Sequence, residues 1–283
     1  MLSESDIDRL ADAYNRALDL EKAGKGEEAA SLYRACLEID PEDRCGASVR
    51  LASMRLGEAP AKAPDAYVAT LFDQHAEVFD DILTGQLGYA VPMQLAEIIS
   101  ADPNARFARM LDLGCGTGLS GMTLGPLCEH TTGVDISEKM VDQADERAVY
   151  DELYVNEAVH FLEEWRRARE QAGSDGDYAE FDLVVATDVL PYLGALEPLF
   201  AGIAANTMSG AYFAFSSETM SEEEFAGRPW NVTPNQRFAH SATYLEKTLE
   251  ESGFGNITAF EKITVRMEKD VPIPGWLVVA RKN

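Results

Sequence analysis

The residues of this chain best placed to do chemistry lie where an apolar run meets a cluster of glycines, Met110-Leu-Asp-Leu-Gly-Cys-Gly-Thr-Gly118. Glycines at such a junction let the backbone approach a ligand closely, and the start of the helix that should follow presents free N–H groups. The loop comprises Gly114, Cys115, Gly116 and Gly118. Gly116, Gly118 and Gly121 also satisfy GxGxxG spacing, so the glycines alone leave the ligand open between NAD and S-adenosylmethionine. Asp112, two residues before Gly114, favours the second: a carboxylate turned to the loop suits a cationic amino group better than a pyrophosphate. Asp135 ends the next apolar run, where it would accept hydrogen bonds from both ribose hydroxyls of either ligand.

Positioning such a loop requires strands that alternate with helices. The patterning predicts strands at Arg109–Leu113, Thr131–Val134, Glu152–Val155, Phe181–Ala186, Ala211–Ser216, Ile257–Met267 and Trp276–Ala280, with helices such as Ser137–Ala148 and Ala158–Ala172 between the first five. That alternation gives a mostly parallel sheet covered on both faces. The last two strands are joined only by Glu268–Gly275, too short for a crossover helix, which makes them an antiparallel hairpin. Before the first strand, residues 65–100 are helical, with Phe72, His75, Phe79 and Leu83 on a period near 3.6. Residues 57–64, rich in Ala and Pro, form a semi-rigid linker. Residues 1–56 read as helices: Leu10, Ala13, Tyr14 and Ala17 recur at helical spacing, as do Ala29, Leu32, Tyr33, Cys36 and Leu37 after a break at Gly24-Lys-Gly26. The expected fold class is therefore α/β, a seven-stranded mostly parallel sheet with an antiparallel last strand, preceded by a small all-α unit.

Leu111-Asp-Leu-Gly-Cys-Gly-Thr-Gly118 and Gly133-Val-Asp-Ile-Ser137 together resemble the first two motifs of class I, Rossmann-like S-adenosylmethionine-dependent methyltransferases. The resemblance implies that the glycine loop lies under the methionine part of the donor, that Asp135 holds its ribose, and that Ile136 and Met140 line the adenine. Asn156-Glu157-Ala158 stands where that family often has an Asp-Ala pair, which makes Glu157 and Ala158 the adenine-amino candidates. Phe181-Asp-Leu-Val-Val-Ala-Thr187-Asp188-Val-Leu-Pro-Tyr192 resembles the fourth motif, beside the transferring methyl, and brings Thr187 and Asp188 to the donor. In residues 1–56, Ala17, Leu20, Ala29, Tyr33 and Pro41 resemble a tetratricopeptide repeat, although Arg16 and the absence of tryptophan depart from it. With Tyr67-Val-Ala-Thr-Leu-Phe-Asp-Gln-His-Ala76 and Arg237-Phe-Ala-His-Ser241, the whole order resembles bacterial predicted methyltransferases with an N-terminal tetratricopeptide repeat. The division implied is 1–56, a linker at 57–64, and a methyltransferase domain at 65–283, with 65–100 as a helical cover and 217–241 as an insertion over the active site.

Methyl transfer from a sulfonium is chiefly a matter of positioning in a dry site. An oxygen or nitrogen nucleophile can still use a base, and His75, Tyr192 and His240 are the candidates. The two covers also hold Phe72, Tyr89, Trp230 and Arg237, an aromatic pocket with a cationic group that suggests a small, partly apolar acceptor, suited to an anion. The alternatives are a protein methyltransferase, or a donor-binding adaptor without turnover, recruited through the helical repeat.

Composition narrows the partners. Lys and Arg number 24 against 49 Asp and Glu, a formal charge of −25 that repels a phosphate backbone, so nucleic acid is not expected as a substrate. No apolar run is long enough to span a bilayer, and the acidic start MLSESDIDRL lacks the features of a secretory leader, which points to the cytoplasm. Cys36, Cys45, Cys115 and Cys128 show no metal-ligand spacing, so no metal is expected.

Overall fold

The computed structural model describes residues 2–76, 79, 88–172 and 178–283. Helices α1 (Glu4–Lys22) and α2 (Gly26–Ile39) pack through Ala17, Ala29, Ala30, Tyr33 and Cys36, all buried. Ser3 caps α1 by accepting Asp6 N–H, and the Tyr33 hydroxyl donates to Glu21 at 2.5 Å. Helix α3 (Ala47–Ser53) starts on Asp43, whose carboxylate accepts the N–H groups of Ala47 at 2.6 Å and Ser48 at 2.9 Å. Its far side carries Val49 and Ala52 into a shared cluster with Ala63, Val68, Val232 and Phe238. Fully burying one Val or Phe side chain stabilises by about 1.5–3 kcal/mol, so α3 is held to the body of the molecule by more than its tether. Segment 57–64 is docked as well: Ala61 C=O accepts from Gly194 and Ala195 N–H, each at 2.8 Å, and Ala63 N–H donates to Tyr192 C=O at 2.8 Å.

Helices α4 (Asp65–His75) and α5 (Val91–Ser100) precede the sheet. Leu83, expected on the helical stripe of this cover, lies outside the described residues. The alternating part then runs β1 (Phe107–Leu113), α6 (Leu119–Leu124), β2 (Cys128–Asp135), α7 (Glu138–Arg147), β3 (Glu152–Val155), α8 (Ala158–Ala172), β4 (Phe181–Ala186), α9 (Glu197–Ala205) and β5 (Thr207–Glu218). After β5 come α10 (Glu222–Phe225), β6 (Trp230–Val232), β7 (Phe238–His240), α11 (Ala242–Glu251), β8 (Asn256–Glu268) and β9 (Val271–Arg281).

Strands β3-β2-β1-β4-β5 lie parallel in that order, and β9 pairs antiparallel with both β5 and β8. Alternate residues bury opposite faces, with Leu111 and Val184 in one core and Met110, Leu183 and Val185 in the other. The β8–β9 hairpin turns more tightly than the eight-residue loop expected from Pro272 and Pro274. Lys269 and Asp270, both at positive φ, make the turn. The prolines are tolerated because they precede Gly275, where β9 begins to pair with β5.

Seven expected strands become nine among the described residues. The two additions, β6 and β7, form a hairpin inside the 217–241 insertion and extend the end of β5 through the single pair Glu218↔Ala239. At three residues each they are too short for alternation to be visible in sequence.

Candidate active site

The carboxyl ends of β1, β2 and β4 open on a cleft. One wall is the glycine loop. Gly114 and Cys115 both donate to Val134 C=O, at 2.7 and 3.0 Å, which ties the loop to β2. Gly114 has φ +69°, and a Cβ there would stand 2.3 Å from Val189 Cγ2, so only glycine fits. Asp135 accepts Gly116 N–H on one oxygen and Ser137 N–H on the other, each at 2.9 Å. Burial pushes its carboxyl up to about 6, against the opposing pull of those N–H groups. Ser137 caps α7 and in turn donates to Asp73 of α4 at 2.6 Å, which fastens the helical cover to the cofactor side.

The facing wall is aromatic. Phe72 stands edge-on to Phe79 and to Tyr192, with ring centroids 5.7 and 5.3 Å apart, and Tyr89 lies beside them. Behind this wall runs an ion network. Arg237, just ahead of β7, donates to Glu218 at 2.6 Å, to the Tyr192 hydroxyl at 2.7 Å, and to Asp188. Glu218, 1% exposed at the end of β5, also accepts from Arg266 of β8 at 3.3 Å, and Arg266 reaches Glu268 at 2.6 Å. A second cavity adjoins the cleft on this side, lined by Arg50, Tyr67, His75, Arg237 and Arg266 among others.

Of the residues expected at the site, Gly114, Cys115, Gly116, Asp135, Ile136, Glu157, Ala158, Thr187, Asp188, Phe72, Tyr89 and Tyr192 all line the cleft. Glu157 has a further job there, since one of its oxygens accepts His160 N–H at 2.9 Å at the start of α8. His75 and Arg237 line the second cavity. His75 Nδ1 lies 2.7 Å from Leu71 C=O, which can only accept, so Nδ1 carries a proton and donates to it.

Five expectations need correction. His240 is fully buried: Nε2 donates to Leu193 C=O at 2.8 Å, and Nδ1 faces Ser217 Oγ at 2.7 Å. Burial lowers it to about 4, so it is a neutral strap with no free nitrogen for a reacting group. Met140 is fully buried on the inner stripe of α7 and Gly118 is packed against Val149; neither lines the cleft. Trp230 covers Gly194 and stands against Phe238, away from both cavities. Asp112 is fully buried behind the loop, where it accepts from the Tyr150 hydroxyl at 2.5 Å, so its carboxylate does not open on the cleft. Its other oxygen has no partner among the described residues, and burial pushes the carboxyl up to about 7.

Sequence reasoning passed over Glu218, Arg266 and Arg50. Glu218 ends a strand and Arg266 sits within one, a register position where a charge is uncommon; that was the available signal. Among the described residues no group of three His, Cys, Asp or Glu side chains could hold a metal, and no helix is long and apolar enough to cross a membrane.

The family described as "Methyltransferase domain" matches residues 111–213. Comparison with curated proteins gave no significant match. Among solved structures, the chain is similar to magnesium protoporphyrin IX methyltransferase of Synechocystis PCC 6803 with bound SAM, at 17% identity and TM-score 0.55, covering 77% of this chain and 97% of that one. It is also similar to 1,6-didemethyltoxoflavin-N1-methyltransferase of Burkholderia thailandensis with its acceptor and S-adenosylhomocysteine bound, at 18% identity and TM-score 0.56, covering 80% and 93%. The [4+2]-cyclase SpnF is similar at 16% identity and TM-score 0.56, covering 76% and 94%. Residues 111–213 thus match a methyltransferase-domain family, and the sheet around them has the fold of the solved structures to which the chain is similar.

Proposed function

We propose that the chain is an S-adenosylmethionine-dependent methyltransferase that transfers a methyl group in line to an oxygen or nitrogen atom of a small, partly apolar acceptor. The observation that carries this reading is the meeting, in one cleft, of the glycine loop and Asp135 with the aromatic wall of Phe72, Tyr89 and Tyr192.

The residues present fit the cofactor. Each Asp135 oxygen retains a lone pair beyond the backbone N–H it accepts, enough for a pair of ribose hydroxyls. A Cβ placed on Gly116 would meet only Phe79, at 3.7 Å, so the loop leaves room on its cleft side. Ile136 and Ala158 supply apolar surface for the adenine. When bound, the sulfonium supplies an already activated methyl group, which leaves positioning and exclusion of water as the main tasks of the chain. Phe72, Phe79 and Tyr192 close the acceptor side against water. Burial pushes the Tyr192 hydroxyl above the usual phenol range in spite of Arg237, so it stays protonated while accepting from Arg237, and the expectation of Tyr192 as a base is corrected. His75, whose Nδ1 is engaged by Leu71 C=O, lines the second cavity and is the candidate to take a proton from an acceptor there through Nε2.

We read residues 1–56 as a tetratricopeptide-like unit docked on a methyltransferase domain of residues 65–283 through segment 57–64, with 65–100 and 217–241 as its covers. Buried Ala17, Ala29 and Tyr33 support the repeat reading. Calorimetry with S-adenosylmethionine, S-adenosylhomocysteine and NAD tests the function: binding of the first two and not of NAD is expected, and the reverse would refute it.

A further inference from the structure

The second cavity shares Phe72, Phe79, Asp188 and Tyr192 with the cofactor cleft, and its outer wall adds Arg50 of α3 and Tyr67 of α4. Three guanidinium groups meet there, and each is partly committed. Arg237 gives three N–H groups to Glu218, Tyr192 and Asp188. Arg266 gives one to Glu218 and one to Glu268. Arg50 gives one to the Tyr14 hydroxyl at 2.9 Å and one to Glu21. A guanidinium has five N–H donors, so two to three on each have no protein partner among the described residues. The Arg237 and Arg266 side chains are only 11% and 9% exposed, and both residues line this cavity.

The charges, by contrast, are cancelled. Three arginines face the four carboxylates Asp188, Glu218, Glu268 and Glu21, in a chain of formal charge −25. An anion entering the cavity would give up its hydration and meet no net positive charge in return. The charge balance speaks against the anionic acceptor expected from Arg237. What the cavity offers is guanidinium N–H donors together with aromatic lining from Tyr67, Phe72 and Tyr192, the Arg237 guanidinium itself lying over the Tyr192 ring at 4.9 Å from its centroid.

Resting on the methyltransferase reading above, we infer that the acceptor is an uncharged aromatic compound bearing hydroxyl or keto oxygens, and that Arg50, supplied by the N-terminal helices, is a specificity residue for it. The helices then form a wall of the acceptor site in addition to any outside contact they make.

The test uses the full chain saturated with S-adenosylhomocysteine and a matched pair of probes, 4-hydroxyacetophenone and 4-hydroxybenzoate, followed by calorimetry. The ketone is expected to bind about tenfold tighter or more than the carboxylate, a difference of about 1.4 kcal/mol. Arg50→Lys keeps the charge opposite Glu21 and loses the fork, so ketone affinity should fall about fivefold while S-adenosylhomocysteine affinity stays unchanged. Glu268→Gln removes one of the four carboxylates, so the preference for the ketone should narrow. Equal or tighter binding of 4-hydroxybenzoate, no binding of either probe to protein that binds S-adenosylhomocysteine, or unchanged ketone affinity in a folded Arg50→Lys variant would each overturn the inference. Failure to bind S-adenosylhomocysteine would instead refute the function on which it rests, and the inference with it.

Discussion

The two walls of the cleft are built on different principles. The cofactor wall is a run of neighbouring residues held by backbone geometry: positive-φ glycines, N–H groups on Val134 C=O, and a carboxylate that accepts from its own loops. The acceptor wall is assembled from side chains on α3, α4, the end of β4, the end of β5, the turn before β7, and β8, joined by charge. A substitution should therefore change ligand binding on the first wall and stability on the second.

The largest expected effect follows from Glu218→Gln. It leaves Arg237 and Arg266 without their shared carboxylate at a site 1% exposed, and breaking a buried ion pair costs about 3–5 kcal/mol. Urea denaturation should show that loss while the affinity for S-adenosylhomocysteine hardly moves. A stable variant with weakened cofactor binding would invert the comparison.

Next in size is Asp135→Ala, for which cofactor binding should weaken by about 2–4 kcal/mol, since each charge-assisted hydrogen bond contributes about 1.5–3 and water replaces part. The fold should also weaken, because the N–H groups of Gly116 and Ser137 lose their acceptor. Affinity in the unmodified protein should rise with pH through about 6, as the carboxyl ionises. A calorimetric titration series from pH 5 to 8 checks both.

This contrast also explains what was legible beforehand. Asp135, Gly114 and Gly116 could be read directly because a backbone-held loop is written in consecutive residues. Strands β1, β2, β4 and β5 were legible because each carries an apolar run, whereas β3, four residues with none buried, was legible from its place in the alternation. Glu218 and Arg266 were not, since their pairing depends on the register in which β9 joins β5 to β8, which no local pattern encodes. Asp112 shows the limit of reading a motif residue by residue. Its position in the strand was right and its partner was not, because Tyr150, after α7, fills the space that the carboxylate was expected to share with a ligand. His240 was misassigned for a related reason: periodicity says nothing of the Leu193 carbonyl that captures its ring.

A smaller effect distinguishes those last two groups by pH. Asp112 has a folded value of about 7, above its unfolded range, so the stability it confers is present at low pH and lost as pH rises from about 4 through 7. His240 has a folded value of about 4, below its unfolded range, so its contribution is present above about 6.5 and lost as pH falls toward 4. Each is worth on the order of 1–2 kcal/mol once relaxation of the site is allowed. In thermal denaturation across this range, Asp112→Asn should flatten the rising-pH loss and His240→Asn the falling-pH loss. If the two substitutions alter the same limb, the opposite directions assigned to the two shifts are wrong.

The smallest effect should come from Gly116→Ala, and it asks directly whether backbone alone holds the cofactor wall. The residue sits at φ +52°, where an L side chain costs about 1–2 kcal/mol, and the nearest atom to an added Cβ is Phe79 Cε1 at an ordinary 3.7 Å. No clash adds to the backbone term, in contrast to Gly114, whose Cβ would overlap Val189. Thermal denaturation without ligand should accordingly show a loss near the lower end, about 1 kcal/mol, well short of Glu218→Gln. The added methyl narrows the gap between loop and Phe79, so affinity for S-adenosylhomocysteine should fall by more than the stability does. A stability loss as large as that of Glu218→Gln would mean that side-chain fit governs both walls, and the division between them would collapse.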